Sequence, residues 1–316
     1  MLPFLFALLV GVAPSAPAPA QAFGQPVEIQ IRGLPEEATR EAVQKAMAGI
    51  AGMERLIDTG SAGLSAAAGK GPRPVDPRLF DLLTRAWSFC QWSEGAHGPL
   101  GRDLYALWGL RSRPEDPPGA DAVLQATKAA ACDQLTLDPQ KKTATLAAGS
   151  GVDPVGFAEG AAVDRAVEIL RESKVSNAFV RVGPVRRAFG PGPAGKGWPV
   201  FLPQVPGMAE PADLVYLRDQ SLAVAASSDH PLLSETSSYL NQRTGAPAQG
   251  VLATVAVTEL AVDAQGLAAT MLILGPREGE LRMGTLRPRP SLLWFLGSGE
   301  GAPLIVNYRW LEFTRR

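Results

Sequence analysis

The segment Asp153-Pro-Val-Gly-Phe-Ala-Glu-Gly-Ala-Ala-Val-Asp164 is the part of this 316-residue chain best suited to hold an anion. Its small residues, Gly156, Ala158, Gly160 and Ala161, run straight into a helix start. Backbone N–H groups are unpaired there, and the end of the helix carries a partial positive charge. A phosphate could lie against such a turn. Close packing of a second helix would leave the same trace. Two other stretches carry chemical residue types. Gly190-Pro-Gly-Pro-Ala-Gly-Lys-Gly197 nearly matches a phosphate-binding P-loop. It lacks the hydroxyl residue after the lysine, and Trp198-Pro199 follows where a helix should begin, so it reads as a surface turn. Ser227-Ser228-Asp229-His230 holds the residue types of a hydrolytic triad. Adjacent residues on a strand point to opposite faces, so this too reads as a turn.

The elements that must position these groups alternate between helix and strand. Pro26 to Arg32 alternates with Val27, Ile29 and Ile31 on one face and reads as a strand. Pro35-Glu-Glu opens a helix that Val43, Met47, Ile50 and Leu56 continue. Thr59 to Pro74 is rich in Gly, Ala and Pro and reads as a loop. Leu79, Leu82, Leu83, Ala86 and Cys90 mark a second helix, and Ala120 to Ala131 a third. Ala161 to Leu170 is the helix after the opening turn, and Ala178 to Val182 a buried strand. Leu222 to Ala226, Val251 to Val257 and Leu304 to Phe313 read as further strands. In the last of these, Leu304, Val306, Tyr308 and Trp310 share a face. The class is α+β, with no internal repeat.

Composition sets the limits. The chain is 46% hydrophobic and 19% charged with formal net charge −1, which argues for a globular protein and against nucleic acid as a partner. Two histidines cannot build a His-rich metal site, and two cysteines exclude a four-cysteine zinc or iron–sulfur centre within one chain. Leu2 to Ala13 is apolar and Ala20-Gln21-Ala22 is a small-x-small cleavage site, so residues 1–22 read as a signal peptide and residues 23–316 as the mature domain. The expected location is outside the cytoplasm, periplasmic or extracellular. No cysteine lies near the cleavage site, so no lipid anchor is expected. Cys90 and Cys132 could bridge in an oxidising compartment, although buried free thiols are also common.

The order of motifs resembles the FAD:protein FMN transferase family, also called ApbE. Gly95-Ala-His-Gly-Pro99 and Leu104-Tyr-Ala-Leu-Trp-Gly109 are similar to its small-residue loop and Leu-Trp-Gly segment. Asp153 to Asp164 resembles its Asp-containing, Gly-rich turn. Arg243-Thr-Gly-Ala-Pro247 resembles its Arg-Thr-Gly-x-Pro turn. Ala261 to Gly275, ending Ile-Leu-Gly, resembles its last helix. The resemblance covers most of residues 23 to 280. It implies a single α+β domain with mixed sheets and flanking helices. It also implies a magnesium-dependent transfer of FMN from FAD to a Thr or Ser of an exported or membrane redox protein.

Residue by residue, the resemblance implies flavin contacts at Ala96, His97, Gly98, Asp153, Glu159, Gly160, Leu240, Thr244 and Gly245. Glu159 stands where most relatives carry Lys and a subset carries Glu. His97 and Gly98 replace the residues after the pocket Ala. Ser238 and Asn241 replace a His and an Asp before the Arg-Thr-Gly turn. For the metal, the resemblance implies the backbone oxygen of Gly156 and side chains on the last helix. Counting back from Leu274-Gly275, the family's Asp falls on Gln265, its Thr on Ala269 and an occasional acid on Ala268. Asp263 and Thr270 carry oxygen nearby but lie seven residues apart, about 10 Å of helical rise. Magnesium holds its oxygens at about 2.1 Å, so these two meet only if the helix breaks at Gly266.

Three expectations follow. The first is an exported relative with weak or no transferase activity. The second is an active transferase with a rearranged metal site. The third is a non-catalytic flavin-binding or protein-interaction module. FAD is the expected ligand, and magnesium is in question.

Overall fold

The computed structural model describes residues 20–109, 118–205, 207–227, 239–297 and 302–314. Residues 1–19, Ser228 to His230 and Ser238 lie outside the described residues. The strands are β1 Gln21–Ala22, β2 Gln25–Ile31, β3 Arg73–Pro74, β4 Leu135–Asp138, β5 Thr143–Leu146, β6 Ala178–Val182, β7 Val185–Phe189 and β8 Trp198–Phe201. They continue with β9 Leu214–Leu217, β10 Gln220–Ala226, β11 Leu240–Asn241, β12 Ala246–Pro247, β13 Val251–Thr258, β14 Ser291–Leu296 and β15 Leu304–Tyr308. The helices are α1 Glu36–Ala66, α2 Pro77–Trp92, α3 Arg102–Leu107, α4 Ala120–Ala129, α5 Ala158–Glu172, α6 Ala261–Met283 and α7 Trp310–Thr314.

Eight strands form one sheet in the order β1-β2-β6-β7-β10-β13-β14-β15. Its neighbouring strands pair antiparallel, and the parallel pairing is an isolated bridge between Leu100 and Asp153. Both faces of the sheet are covered, and the alternation of side chains serves both. Val180, Val182, Ala223, Ala225, Leu292 and Trp294 join the core under α1, α5 and α6. Phe179, Leu222, Val255, Leu293 and Phe295 join a second core under the β8–β9 hairpin and α7. The α+β class is the one the sequence implies.

Three local expectations are corrected. Thr59 to Ala66 is the last part of α1 and not loop. Ile57, Ser61 and Leu64 continue its buried stripe, and Gly60 lets Leu79 of α2 approach so closely that a Cβ would stand 2.3 Å from Leu79 Cδ2. The last strand stops at Tyr308, because Arg309 turns to φ +56° and Trp310 opens α7. Cys90 and Cys132 form a disulfide, their Cα atoms 5.8 Å apart. The end of α2 and the short turn before β4 pack together there, and Trp87 Nε1 donates to Cys132 O at 3.1 Å. Among the described residues no helix is long and apolar enough to cross a membrane.

Candidate functional site

Asp164 sets the relation between α5 and α6. Its two carboxylate oxygens accept the N–H groups of Ala261 and Val262, at 2.9 and 3.0 Å, and so cap the start of α6. Arg187 of β7 donates to the same carboxylate at 2.5 Å. Gly160 lies at the crossing of the two helices, where a Cβ would meet Ala261 O and Val262 Cα at 2.6 Å. The small residue at this point is therefore required by α6, as close helix packing demands.

Gln265 closes the start of α5. Its Oε1 accepts the Gly160 N–H at 2.8 Å, and its Nε2 donates to Glu159 Oε2 at 2.6 Å. Phe157, the residue before the helix, provides no side-chain cap. Gln265 takes that role from across the core and uses one of the donors that an anion would seek.

His97 fills the space behind Gly156. It is 1% exposed and stacks on Phe157 with ring centroids 4.8 Å apart. Its Nε2 lies 3.2 Å from Val155 O and its Nδ1 3.0 Å from Thr270 Oγ1. Burial holds its pKa down at about 4, against the raising effect of the backbone carbonyls. A neutral ring carries one hydrogen and Val155 O can only accept. Nε2 is therefore the donor, and Nδ1 and Gly266 O, 3.0 and 2.7 Å from Thr270 Oγ1, compete for the single hydroxyl hydrogen. Gly156 has φ +85°, and a Cβ there would stand 2.8 Å from the His97 ring and 3.3 Å from Ala269 Cβ.

The loop before His97 is fixed from two sides. Gly98 rests on the disulfide, since a Cβ would meet Cys90 Sγ at 2.9 Å. Gln242 N donates to Ala96 O, and Gln242 Nε2 donates to Gly98 O, each at 2.9 Å. Asp153 N donates to Pro99 O at 2.8 Å and joins the turn to the same loop. Trp108 Nε1 donates to Gly245 O at 2.9 Å.

The expected flavin contacts thus form one connected region, but they do not all reach one opening. Asp153, Gly156 and Glu159 line a cavity of about 740 Å³ beside α1, with Glu54, Asp58 and Arg102. Ala96, His97, Gly98 and Leu240 are buried outside its lining, Gly245 is held by Trp108, and Thr244 is exposed. The cavity carries four acids against one arginine, an environment that repels a pyrophosphate unless a cation accompanies it.

The α6 side chains expected to hold magnesium are engaged with other partners or carry no oxygen. Both ends of the Gln265 amide are engaged, and Ala269 offers only a methyl. Thr270 lies between His97 and Gly266 O. Asp263 is not brought in. Its two carboxylate oxygens share Arg85 Nη1 at 3.0 and 3.1 Å, and burial raises its pKa while Arg85 opposes. The helix is continuous through Gly266 and breaks at Gly275 instead, so Asp263 and Thr270 stay a helical distance apart. Among the described residues no group of three or more His, Cys, Asp or Glu gathers as a metal site. Magnesium binds through one or two carboxylates and keeps several waters, and among the carboxylates that share the cavity with Gly156 are Asp153 and Glu159.

Reading the sequence missed three participants. Gln242 and Arg187 are ordinary residue types in unmarked places, and Phe157 stands inside the opening turn without a pattern of its own. The spacing of Asp164, four residues after Gly160 on one helix face, was a usable signal for a cap on the neighbouring helix.

A model of the ApbE family matches residues 23–287. A FAD:protein FMN transferase of Haemophilus influenzae is 27% identical over 215 residues, covering 65% of this chain and 62% of that protein. One from Treponema pallidum is 31% identical over 132 residues, covering 40% and 36%. The matched stretch spans less than two thirds of each of these relatives. The apo flavinyl transferase ApbE of Pseudomonas stutzeri superposes with a TM-score of 0.77 at 18% identity, over 94% of this chain and 96% of that one. The ApbE protein of Thermotoga maritima gives 0.79 at 21% identity, over 95% and 98%. At these identities the likeness shows the fold.

Proposed function

The chain belongs to the ApbE family, and on that premise we propose that it is an exported relative of the FAD:protein FMN transferases with weak or no transfer activity. One observation carries this reading. Gln265 holds the Gly160 N–H and the Glu159 carboxylate where a relative's metal-binding acid is expected. Transfer of FMN from FAD requires the pyrophosphate charge to be neutralised while the bond breaks. Here the donors around Gly156 are turned on one another, and the adjoining cavity is acidic. FAD remains the ligand class to test, with its acceptor an exported or membrane redox protein.

Two features support export. The Cys90–Cys132 bridge suits an oxidising compartment. Phe23 N already donates to Glu54 Oε1 at 2.6 Å, so cleavage after Ala22 would leave the new α-ammonium beside a carboxylate. N-terminal sequencing of the secreted protein checks this, and a start at Phe23 is expected.

Incubation with FAD, magnesium and a Thr-containing target peptide, followed by mass measurement, tests the activity. No peptide adduct is expected. A magnesium-dependent gain of one FMN would overturn the reading. It would favour the second one, an active transferase with a rearranged metal site. Asp153 and Glu159 beside Gly156 in one cavity are the observation behind that alternative.

A further inference from the structure

We propose that removal of the signal segment completes the candidate site by placing the new α-ammonium of Phe23 in the acidic cavity beside α1 as a built-in cation, a role that rests on the export reading. Hydrolysis of the Ala22–Phe23 bond by a signal-cleaving peptidase releases a segment ending in the Ala22 carboxylate. The freed Phe23 amine takes up a proton at neutral pH, since the ordinary pKa of such an amine is about 8. A seat for that amine is already present. Phe23 N donates to Glu54 Oε1 at 2.6 Å, and both residues line the cavity. The Phe23 side chain packs against the main core, and β2 begins at Gln25 and pairs with β6 from Val27 onward. Residues that processing leaves in place therefore hold the amine where it is. Phe23 is also a non-glycine residue at φ +54°. The crowding in that region includes the carbonyl of the preceding residue, so cleavage removes the constraint along with Ala22.

Charge gives the ammonium its role. Glu54, Asp58 and Ser61 share one face of α1, each three or four residues after the last, and all three line the cavity. Like charges four residues apart on a helix repel. Asp153 and Glu159 add two more acids from the opening turn and α5. Among the described residues Arg102 is the one basic residue of the lining, and its Nε donates to Asp103 at 2.7 Å. Glu159 is engaged by Gln265. Glu54 accepts the Phe23 N–H and nothing else, and Asp58 has no hydrogen bond or ion pair among the described residues. Arg55, beside Glu54 in sequence, is exposed and pairs with neither acid. Ser61 is 7% exposed, and its Oγ has no hydrogen-bond partner. Acceptors on this wall thus outnumber donors. The precursor brings one neutral N–H to Glu54. The mature chain brings a full positive charge at the same atom, which offsets the repulsion between Glu54 and Asp58.

Limited acetylation with acetic anhydride at pH 7 tests the proposal on the exported chain, after N-terminal sequencing has fixed its first residue. The neutral amine alone reacts, and the mass of the N-terminal peptide reports the extent. A carboxylate partner keeps the amine protonated, so wild type should react about tenfold more slowly than Glu54→Gln, the lower end of the effect of an opposite charge within about 4–6 Å. Asp58→Asn should speed the reaction by a smaller factor, and it serves alone if Glu54→Gln does not fold. A chain that keeps Ala22 as its first residue moves the amine off its seat, and Glu54→Gln should then leave the rate unchanged. Stability gives a second readout. The fold raises the pKa of the amine, so its contribution is complete below about pH 8 and is lost as pH rises through the folded value. The gap in unfolding midpoint between wild type and Glu54→Gln should therefore close above about pH 8. Equal acetylation of wild type and variants at a Phe23 start overturns this inference and leaves the export reading intact. A start at another residue overturns both.

Discussion

Gln265 Oε1 accepts the Gly160 N–H at 2.8 Å, and through this bond α6 caps α5 across the core. The same side chain donates to Glu159 at 2.6 Å. An uncharged amide suits both partners, because it can accept with one end and donate with the other.

Gln265→Ala should destabilise the fold by about 1–2 kcal/mol, the usual effect of leaving a buried backbone donor unpaired. Gln265→Glu keeps an acceptor for Gly160 but faces Glu159 with like charge. Its stability deficit should be largest at neutral pH and shrink as pH falls through the carboxylate range. Urea unfolding at two pH values measures both. A Gln265→Ala protein as stable as wild type would show that the bond contributes nothing.

His97 makes acid stability a local property. Its pKa is held at about 4 in the fold and is about 6.5 in the unfolded chain. The neutral form is favoured in the fold, so this stabilisation is complete above the unfolded pKa. It is lost progressively as pH falls from about 6.5 to about 4, by up to roughly 3 kcal/mol. Unfolding midpoints of wild type and His97→Gln across that window should diverge, the variant having the flatter profile. Parallel profiles would contradict the assignment.

Gly160→Ala should be among the most damaging single-methyl additions in the chain. Its Cβ would stand 2.6 Å from backbone atoms at the start of α6, which cannot rotate away. A loss of about 3 kcal/mol is expected, at the upper end for an overpacked core. Gly52→Ala on α1, with nothing within 4 Å of the added carbon, should be neutral or slightly stabilising. Thermal denaturation of the pair separates close packing from general intolerance of helix changes.

The disulfide closes a loop between residues 42 apart in sequence. Cys132→Ser should cost about 2–4 kcal/mol, with a reducing agent lowering wild-type stability by a similar amount and leaving the variant unchanged. A wild-type midpoint insensitive to full reduction would remove the bridge from the account of stability.

The sequence made the opening turn, the long helices and the central strands legible, because each carries a strong local pattern. Asp153 to Asp164 could be read from its small residues, and Gln265 could be placed by counting from Leu274-Gly275. What Gln265 does could not be read. Its partners, Glu159 and Gly160, lie more than one hundred residues away and are ordinary residue types. The end of α1 was hidden by Gly60 and Gly63, whose local signal is a loop, although Gly60 serves the close approach of Leu79 and Gly63 faces open space within the helix. Trp310 looked like the next residue of a strand, since a positive φ at Arg309 leaves no mark in a side-chain pattern. The β8–β9 ribbon was passed over because its exposed apolar residues blur the alternation that distinguishes inside from outside.

The break at Gly275 lets one stretch of chain follow two different axes. The part before it is packed into the core, while the part after Pro276 carries Glu278 and Arg282 outward. Glu278 grips Arg243 at 3.1 and 3.2 Å, and Arg282 grips Glu94 at 2.7 Å and Trp92 O at 2.8 Å. The short outer limb is therefore a bracket that holds the Arg-Thr-Gly turn and the end of α2 at a set spacing. Both attachments are solvent-facing ion pairs, so ionic strength acts on the bracket more than on the buried limb. A straight helix would have aimed these side chains along the core axis and left the two loops without a common support.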